Sequence, residues 1–176
     1  MENIKKKIRG VPDFPSPGIM FRDVTTLLMD EVGIRDVVDQ TIEHWKDRGI
    51  TKIVGIDARG FIIGGALAYR MKLGFVPVRK KGKLPPVTIS QSYSLEYGQD
   101  SLEIFEQSLT TEDKVLIVDD LIATGGSAEA SVKLVRALGA DVLGCSFIID
   151  LPDLGGMKKI SSLGVETFAL CEFEGH

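Results

Sequence analysis

The segment KVLIVDDLIATGGSAEASVKLVRALG, residues 114–139, decides the fold class because it joins a strand to a helix through a short polar turn. Residues 114–120 are apolar up to two final aspartates, which is typical of a strand buried on both faces. Residues 126–138 predict a helix that is closed by Gly139. A strand that leads directly into a helix is the repeating unit of a parallel sheet covered by helices.

The rest of the chain repeats this alternation of apolar strands and helices. Two helices are predicted, over residues 32–48 and 61–72, with stops at Gly49 and Gly74. The other predicted strands are KIVGID (52–57), FVPVRK (75–80) and DVLGCSFIID (141–150). The sequence therefore predicts an α/β fold, a mostly parallel twisted sheet with helices on both faces.

The fold class also predicts where a ligand would bind. Open α/β sheets bind ligands beyond the carboxyl ends of their strands. The segments expected there are 57–60, 79–83, 119–127 and 150–154.

Two regions depart from the alternation. Residues 10–22, GVPDFPSPGIMFR, contain three prolines and two glycines and predict an irregular segment that could form a hood, at about residues 1–30. Residues 87–106 predict two strands around a turn near Gly98. Without a repeat or a linker, the expected organisation is a single domain over 1–176.

Composition narrows the possible functions. The formal net charge of −4 argues against nucleic acid as a partner, since that binding needs clustered Lys and Arg. Cys145 and Cys171 lie in apolar runs, and we interpret both as buried free thiols. No apolar run reaches the roughly 18 residues that span a bilayer, so we expect no membrane association and a cytoplasmic location.

The turn of the opening segment, residues 123–127 (Ala123, Thr124, Gly125, Gly126, Ser127), has the features of a phosphate cradle. The two glycines let the backbone approach an anion, and the two hydroxyls add donors. The first amides of the following helix point to the same place, with the positive end of the helix dipole. It is not a Walker loop, because no lysine follows the glycines.

Asp119 and Asp120 precede this turn and would repel a phosphate, but they suit neutral hydroxyls and a developing cation. A ribose 5-phosphate has both kinds of group. The alternative is an ordinary strand-to-helix turn, which a lone Thr-Gly-Gly-Ser sequence would favour; two acids at the end of an apolar strand make that alternative weaker.

These residues resemble the donor-binding motif of the type I phosphoribosyltransferases, and the chain as a whole is most similar to the members that act on adenine. The resemblance runs through PDFPSPGIMFRD (12–23), GIDARGF (55–61), VRKKGKLP (78–85), SYSLEYG (92–98) and VDDLIATGGS (118–127). It covers most of the chain, apart from the extreme N-terminus and the part after Leu154.

The resemblance implies a pyrophosphate site. In the family, the loop that matches Asp57, Ala58 and Arg59 holds pyrophosphate, often with a cis peptide, which we place at Asp57–Ala58. Arg79 and Lys83 are assigned to the same anion, partly across a dimer interface. Taken alone, these residues would be better interpreted as a helix-capping aspartate with a surface arginine and as a solvated charge run.

The resemblance also implies a base site. Phe21 matches the aromatic that stacks on the base, and the backbone of Met20 and Arg22 would pair with its edge. Leu151 or Leu154 would cover the opposite face. Simple core packing is the alternative for a single phenylalanine.

SYSLEYG resembles the lid of the adenine enzymes, so the lid is expected at about residues 87–106. Related 6-oxopurine enzymes carry an aspartate before the Thr-Gly of the phosphate loop, where this chain has Ala123. We therefore assign proton handling to Glu96, with Tyr97 sealing the site from water.

The implied reaction converts adenine and 5-phosphoribosyl 1-pyrophosphate to AMP and pyrophosphate in a homodimeric enzyme of purine salvage. Glu96, Arg59, Asp119 and Asp120 are the expected catalytic residues, and Mg²⁺ is expected on donor oxygens and water rather than directly on the protein. The alternatives are transfer to another purine, such as xanthine or guanine, and a regulatory protein that senses the donor.

Overall fold

The computed structural model describes residues 2–94 and 99–174. The helices are α1 Glu2–Lys6, α2 Thr25–Leu28, α3 Glu31–Trp45, α4 Gly60–Met71, α5 Gly126–Ala137 and α6 Gly156–Ser161, with a 3₁₀ turn at Pro152–Leu154. The strands are β1 Arg9–Pro12, β2 Met20–Asp23, β3 Lys52–Ile56, β4 Gly74–Lys80, β5 Thr88–Ser94, β6 Gln99–Phe105, β7 Lys114–Ile122, β8 Asp141–Asp150 and β9 Glu166–Glu172.

A seven-stranded sheet in the order β5-β6-β4-β3-β7-β8-β9 forms the centre of the molecule. The five strands from β4 to β9 pair in parallel. β6 pairs antiparallel with β4, and β5 pairs antiparallel with β6, which confirms the two strands predicted in residues 87–106. The predicted α/β fold with a mostly parallel sheet is therefore confirmed.

Each face of the sheet has its own buried core. On one face, α5 packs Val132 and Val135 against Ile117 of β7. On the other face, α3 and α4 pack Trp45 and Leu67 against apolar side chains of the central strands that belong to a second buried cluster. Because both faces are covered, the central strands are apolar without alternation, as the sequence predicted.

The predicted ends of several elements shift in the structure. α3 ends at Trp45, and Gly49 lies beyond it in a turn at φ 75°. α4 ends at Met71, where Lys72, at φ 58°, makes the left-handed C-cap expected of Gly74. β7 continues past the two aspartates to Ile122, because its pairing with β8 extends to Asp150.

The proline-rich segment is more regular than predicted. β1 and β2 form an antiparallel hairpin in which Arg9 faces Asp23 and Pro12 faces Met20. The prolines are tolerated because the two strands form a separate small sheet, where a missing donor disrupts no central ladder. β9 and α6, which follow Leu154, were also missing from the prediction. Within the described ranges, no helix combines the length and apolarity needed to cross a membrane.

Candidate active site

The turn between β7 and α5 encloses a concave site at the carboxyl edge of the sheet. Gly125 adopts φ 77° at the start of α5, and no side chain of the described residues caps this helix. The first amides of α5 are therefore available to an anion. The cavity here measures about 250 Å³ and is lined by Arg59, Tyr93, Ser94 and residues 119–128.

A second glycine segment, which the sequence analysis missed, packs against the backbone of this turn. The amide of Gly156 donates to the carbonyl of Ala123 at 3.0 Å. A Cβ on Gly156 would overlap that carbonyl and lie 2.9 Å from the amide nitrogen of Gly125. The signal was the Gly155-Gly156 pair directly after the expected ligand segment 150–154.

The two aspartates occupy different surroundings in the same cavity. Asp120 is buried and accepts a charge-assisted hydrogen bond from Nε of Arg59. Asp119 accepts the backbone amide of Asp120 at 2.9 Å through Oδ1. Arg59 therefore pairs directly with one acid, whereas it acts on the other only through its charge.

The pKa values follow from this arrangement. Burial, reinforced by the negative charge of Asp120, raises the pKa of Asp119 well above its usual range. Burial opposes ionisation of Arg59 as well, but the hydrogen bond and charge of Asp120 outweigh it and raise the pKa of the guanidinium.

The loop before α4 places the predicted pyrophosphate residues near one another. The expected cis peptide is present at Asp57–Ala58. Asp57 accepts Nε of Arg79 at 3.2 Å, and Arg79 also donates to the carbonyl of Lys83 at 3.3 Å. Among these residues, Arg59 is the one that lines the phosphate cavity, whereas Asp57 and Arg79 pair with each other.

Gly60, which follows Arg59, brings the loop against β7. A Cβ at this position would lie 2.6 Å from the carbonyl of Val118 and 3.2 Å from Oδ1 of Asp119. The absence of a side chain therefore lets Arg59 reach Asp120 across the sheet edge.

A second cavity, of about 300 Å³, adjoins the first, and Arg59 lines both. Phe21 and Arg22, both predicted base residues, line it, and the ring of Phe14 meets the ring of Phe21 edge to face at 5.1 Å. The full lining is Arg9, Val11, Phe14, Phe21, Arg22, Asp23, Val24, Thr25 and Arg59.

Asp23 and Arg9 form an ion pair in the lining of this cavity, which the sequence analysis missed. Asp23 is buried and accepts Nη2 of Arg9 at 2.6 Å and the amide of Thr25 at 2.9 Å. The pair fixes the register of the β1–β2 hairpin, which carries Phe21.

The lining of this cavity does not include the other predicted base residues, Met20, Leu151 and Leu154. Met20 is partly exposed in β2. Leu151 is buried, and its amide donates to the carbonyl of Ile122 at 3.0 Å, so it packs behind the phosphate turn. Leu154 packs against the buried apolar cluster that contains Leu151.

The β5–β6 hairpin reaches the phosphate cavity through Tyr93 and Ser94, which line it. The predicted lid residues Glu96 and Tyr97 belong to residues 95–98, which lie outside the described part of the chain.

Comparison with known proteins defines the class first. The Phosphoribosyl transferase domain family matches residues 26–167, a range that includes the sheet from β3 to β8 and the phosphate turn. The fold and the strand–turn–helix site are thus those of a phosphoribosyltransferase.

The similar proteins narrow the class. The adenine phosphoribosyltransferase of Shewanella oneidensis is 55% identical over 98% of this chain and 94% of its own length. The crystal structure of the Rhodothermus marinus adenine phosphoribosyltransferase superposes with a TM-score of 0.92 at 46% identity, covering 98% of this chain and 97% of that one. The Saccharomyces cerevisiae enzyme, complexed with adenine and an imino-altritol bisphosphate, gives 0.89 at 37% identity, covering 97% of each chain. The chain belongs to the adenine phosphoribosyltransferase family, which are pentosyltransferase enzymes.

The contact below the turn predicts the effect of Gly156→Ala. The added methyl group must displace the backbone of Ala123 and Gly125, so the affinity for ribose 5-phosphate should fall about tenfold, as expected for an overpacked site. Isothermal titration calorimetry measures this affinity. In the matched control Gly65→Ala, the new Cβ meets nothing within 4 Å and should leave binding unchanged. Wild-type affinity in Gly156→Ala would contradict the supporting role.

The raised pKa of Asp119 predicts a gain of stability in Asp119→Asn. Because the folded pKa lies above the unfolded one, the proton-linked stability is complete below the unfolded pKa and is lost as the pH rises through the folded pKa. Asparagine does not titrate and can still accept the amide of Asp120. The variant should therefore resist urea better than wild type at pH 7, with a smaller difference at pH 4. Lower stability than wild type at pH 7 would disprove this electrostatic account.

Proposed function

We propose that the protein transfers the 5-phosphoribosyl group of 5-phosphoribosyl 1-pyrophosphate to adenine, giving AMP and pyrophosphate in purine salvage. The observation that carries the proposal is that the phosphate cavity and the Phe21 cavity adjoin, with Arg59 lining both. A sugar phosphate in the first cavity would have its reactive carbon facing a base in the second. The yeast relative, complexed with adenine and a sugar bisphosphate analogue, supports the same pairing of ligands.

The donor would bind through residues 123–127. The amides at the start of α5, with the hydroxyls of Thr124 and Ser127, would hold its 5-phosphate. Asp119 and Asp120 would accept the ribose hydroxyls and stabilise positive charge on the ring, as carboxylates do in glycosyl transfer.

The leaving pyrophosphate would be held on the opposite side of the reactive carbon. Arg59 would take this role, which is supported by its position in the lining of both cavities. The backbone of Asp57 and Ala58 lies in the same loop, and Arg79 and Lys83 would add positive charge from the loop after β4.

Mg²⁺ would neutralise the charge of the leaving pyrophosphate. The two aspartates are assigned to the ribose hydroxyls, and Asp120 also pairs with Arg59, so donor oxygens and water would supply most of the ligands. This agrees with the preference of Mg²⁺ for oxygen ligands and retained water.

We infer a single domain over residues 1–176. Its hood, residues 1–30, would supply the base site. Phe21 would stack on adenine, held edge to face by Phe14. The backbone of Met20 and Arg22 would pair with the base edge, with Leu151 or Leu154 on the far side.

In the chemical step, N9 of adenine attacks the anomeric carbon while the bond from that carbon to the pyrophosphate oxygen breaks. The proton on the base must leave. We assign it to Glu96 on a lid of residues 87–106, with Tyr97 excluding the water that would hydrolyse the donor.

We also infer a homodimer in the cytoplasm. Val87 and Phe105 form an exposed apolar surface beside the loop that carries Lys83, which supports an interface there. Light scattering measures the mass of the assembly; a monomer at micromolar concentration would contradict it. The two free thiols agree with a reducing compartment, and cell fractionation tests that location.

The proposed reaction is tested by incubating the protein with donor, Mg²⁺ and equimolar adenine, guanine, hypoxanthine and xanthine. We expect AMP to exceed every other nucleotide product by at least about 100-fold. A site whose polar groups pair with the edge of one base leaves those groups unpaired when a different base binds. Chromatography of the products measures this ratio. Preferential formation of another nucleotide would overturn the adenine assignment, and no product with any base would overturn the enzyme assignment.

The same assay tests the proton carrier. Glu96→Gln should lower kcat on the order of 10²-fold, with the donor KM changed less than threefold, because general acid–base catalysis contributes about that factor. Unchanged kcat would remove Glu96 from the mechanism.

A further inference from the structure

The β5–β6 hairpin forms one wall of the phosphate cavity. A Cβ on Gly126, the first residue of α5, would lie 3.1 Å from the ring of Tyr93 and 3.2 Å from the carbonyl of Ser94. These distances place the end of β5 in direct contact with the helix start that receives the phosphate. Tyr93 and Ser94 accordingly line the same cavity as Gly125 and Ser127.

The orientation of Tyr93 is set from the neighbouring strand. Tyr93 and Asp100 are directly opposite in the antiparallel register of β5 and β6. The hydroxyl of Tyr93 donates to Oδ2 of Asp100 at 3.2 Å. Burial, with the added charge of Asp100, raises the pKa of Tyr93 to about 12, so the hydroxyl keeps the proton that it donates.

Asp100 is itself fixed at both oxygens. Its Oδ1 accepts the amide of Ser101 at 2.8 Å, and Nζ of Lys80 approaches Oδ2 at 3.5 Å. Lys80 ends β4, and the basic loop with Lys83 follows it. The carboxylate therefore links the hairpin, the basic loop and the ring that contacts the phosphate turn.

We propose that Asp100 is a positioning residue for donor binding: it holds the ring of Tyr93 against Gly126 and so fixes the wall of the phosphate cavity. The inference rests on the proposed function, because it assumes that this cavity takes the 5-phosphate of the donor. Asp100 itself does not line the cavity and acts through Tyr93.

The test combines steady-state kinetics with calorimetric titration of ribose 5-phosphate into the same proteins. Tyr93→Phe and Asp100→Ala should each raise the donor KM and the ribose 5-phosphate Kd by about three- to tenfold, the effect of one lost hydrogen bond. The KM for adenine should stay within about twofold of wild type. Asp100→Asn, which can still accept the hydroxyl of Tyr93, should restore most of the affinity.

The double variant Tyr93→Phe/Asp100→Ala distinguishes positioning from general damage to the hairpin. It should be no worse than either single variant, because both remove the same bond. The matched control is Ser92→Ala/Ser101→Ala, which removes a 3.0 Å cross-strand contact one residue along the same strands and should raise the donor KM less than Asp100→Ala does.

Three results would overturn the proposal: unchanged donor KM and Kd in both single variants, multiplied effects in the double variant, or an equal loss in the serine control. A wild-type protein that binds ribose 5-phosphate but does not convert adenine would instead contradict the proposed function. The calorimetric arm would then still report on Asp100.

Discussion

The site depends on backbone approaching backbone more closely than any side chain would permit. Gly156 lies directly beneath the turn of residues 123–125, and Gly60 lies against the carbonyl of Val118. These two contacts bring the end of β7, the start of α5 and the loop before α4 to one edge of the sheet. Such contacts hold the turn in place at Gly125 and Gly126, which have no side chains of their own to pack. The glycines therefore shape the cavity without touching any ligand.

The charged side chains next to these backbone contacts lie in positions that the stability of the fold alone would not favour. Asp119 and Asp120 are adjacent acids at a buried strand end, and burial and mutual repulsion raise the pKa of Asp119. Arg59 compensates one of them and lies at the boundary of the two cavities. Acids whose pKa is shifted, and whose charge a neighbouring cation compensates only in part, are concentrated at functional sites. Here they would face a ribose whose ring becomes positive during transfer, so the electrostatic cost in the resting protein becomes a gain in the transition state.

Much of this organisation could be predicted from local sequence. The apolar run of β7, the glycines after it and the helical pattern of α5 are contiguous, so one segment predicts its own structure and its place at the sheet edge. What could not be predicted depends on residues far apart in the chain. The pairing of Arg59 with Asp120 spans 61 positions, and the packing of Gly156 beneath Ala123 depends on how β8 returns to the same edge. The β1–β2 hairpin was missed because its prolines argue against a strand, and only the structure places it outside the central sheet.

The surroundings of Ala123 bear on the choice of base. The resemblance places an aspartate here in enzymes that act on 6-oxopurines, and in this chain the position packs against the apolar cluster that holds Leu151 and Leu154. The carbonyl of Ala123 is already used by the amide of Gly156. A carboxylate introduced at this position would lie between that apolar cluster and the phosphate cavity, where its negative charge would oppose a bound phosphate. Position 123 of the phosphate turn therefore carries no side-chain proton acceptor. We propose Glu96 as the proton acceptor for this reason.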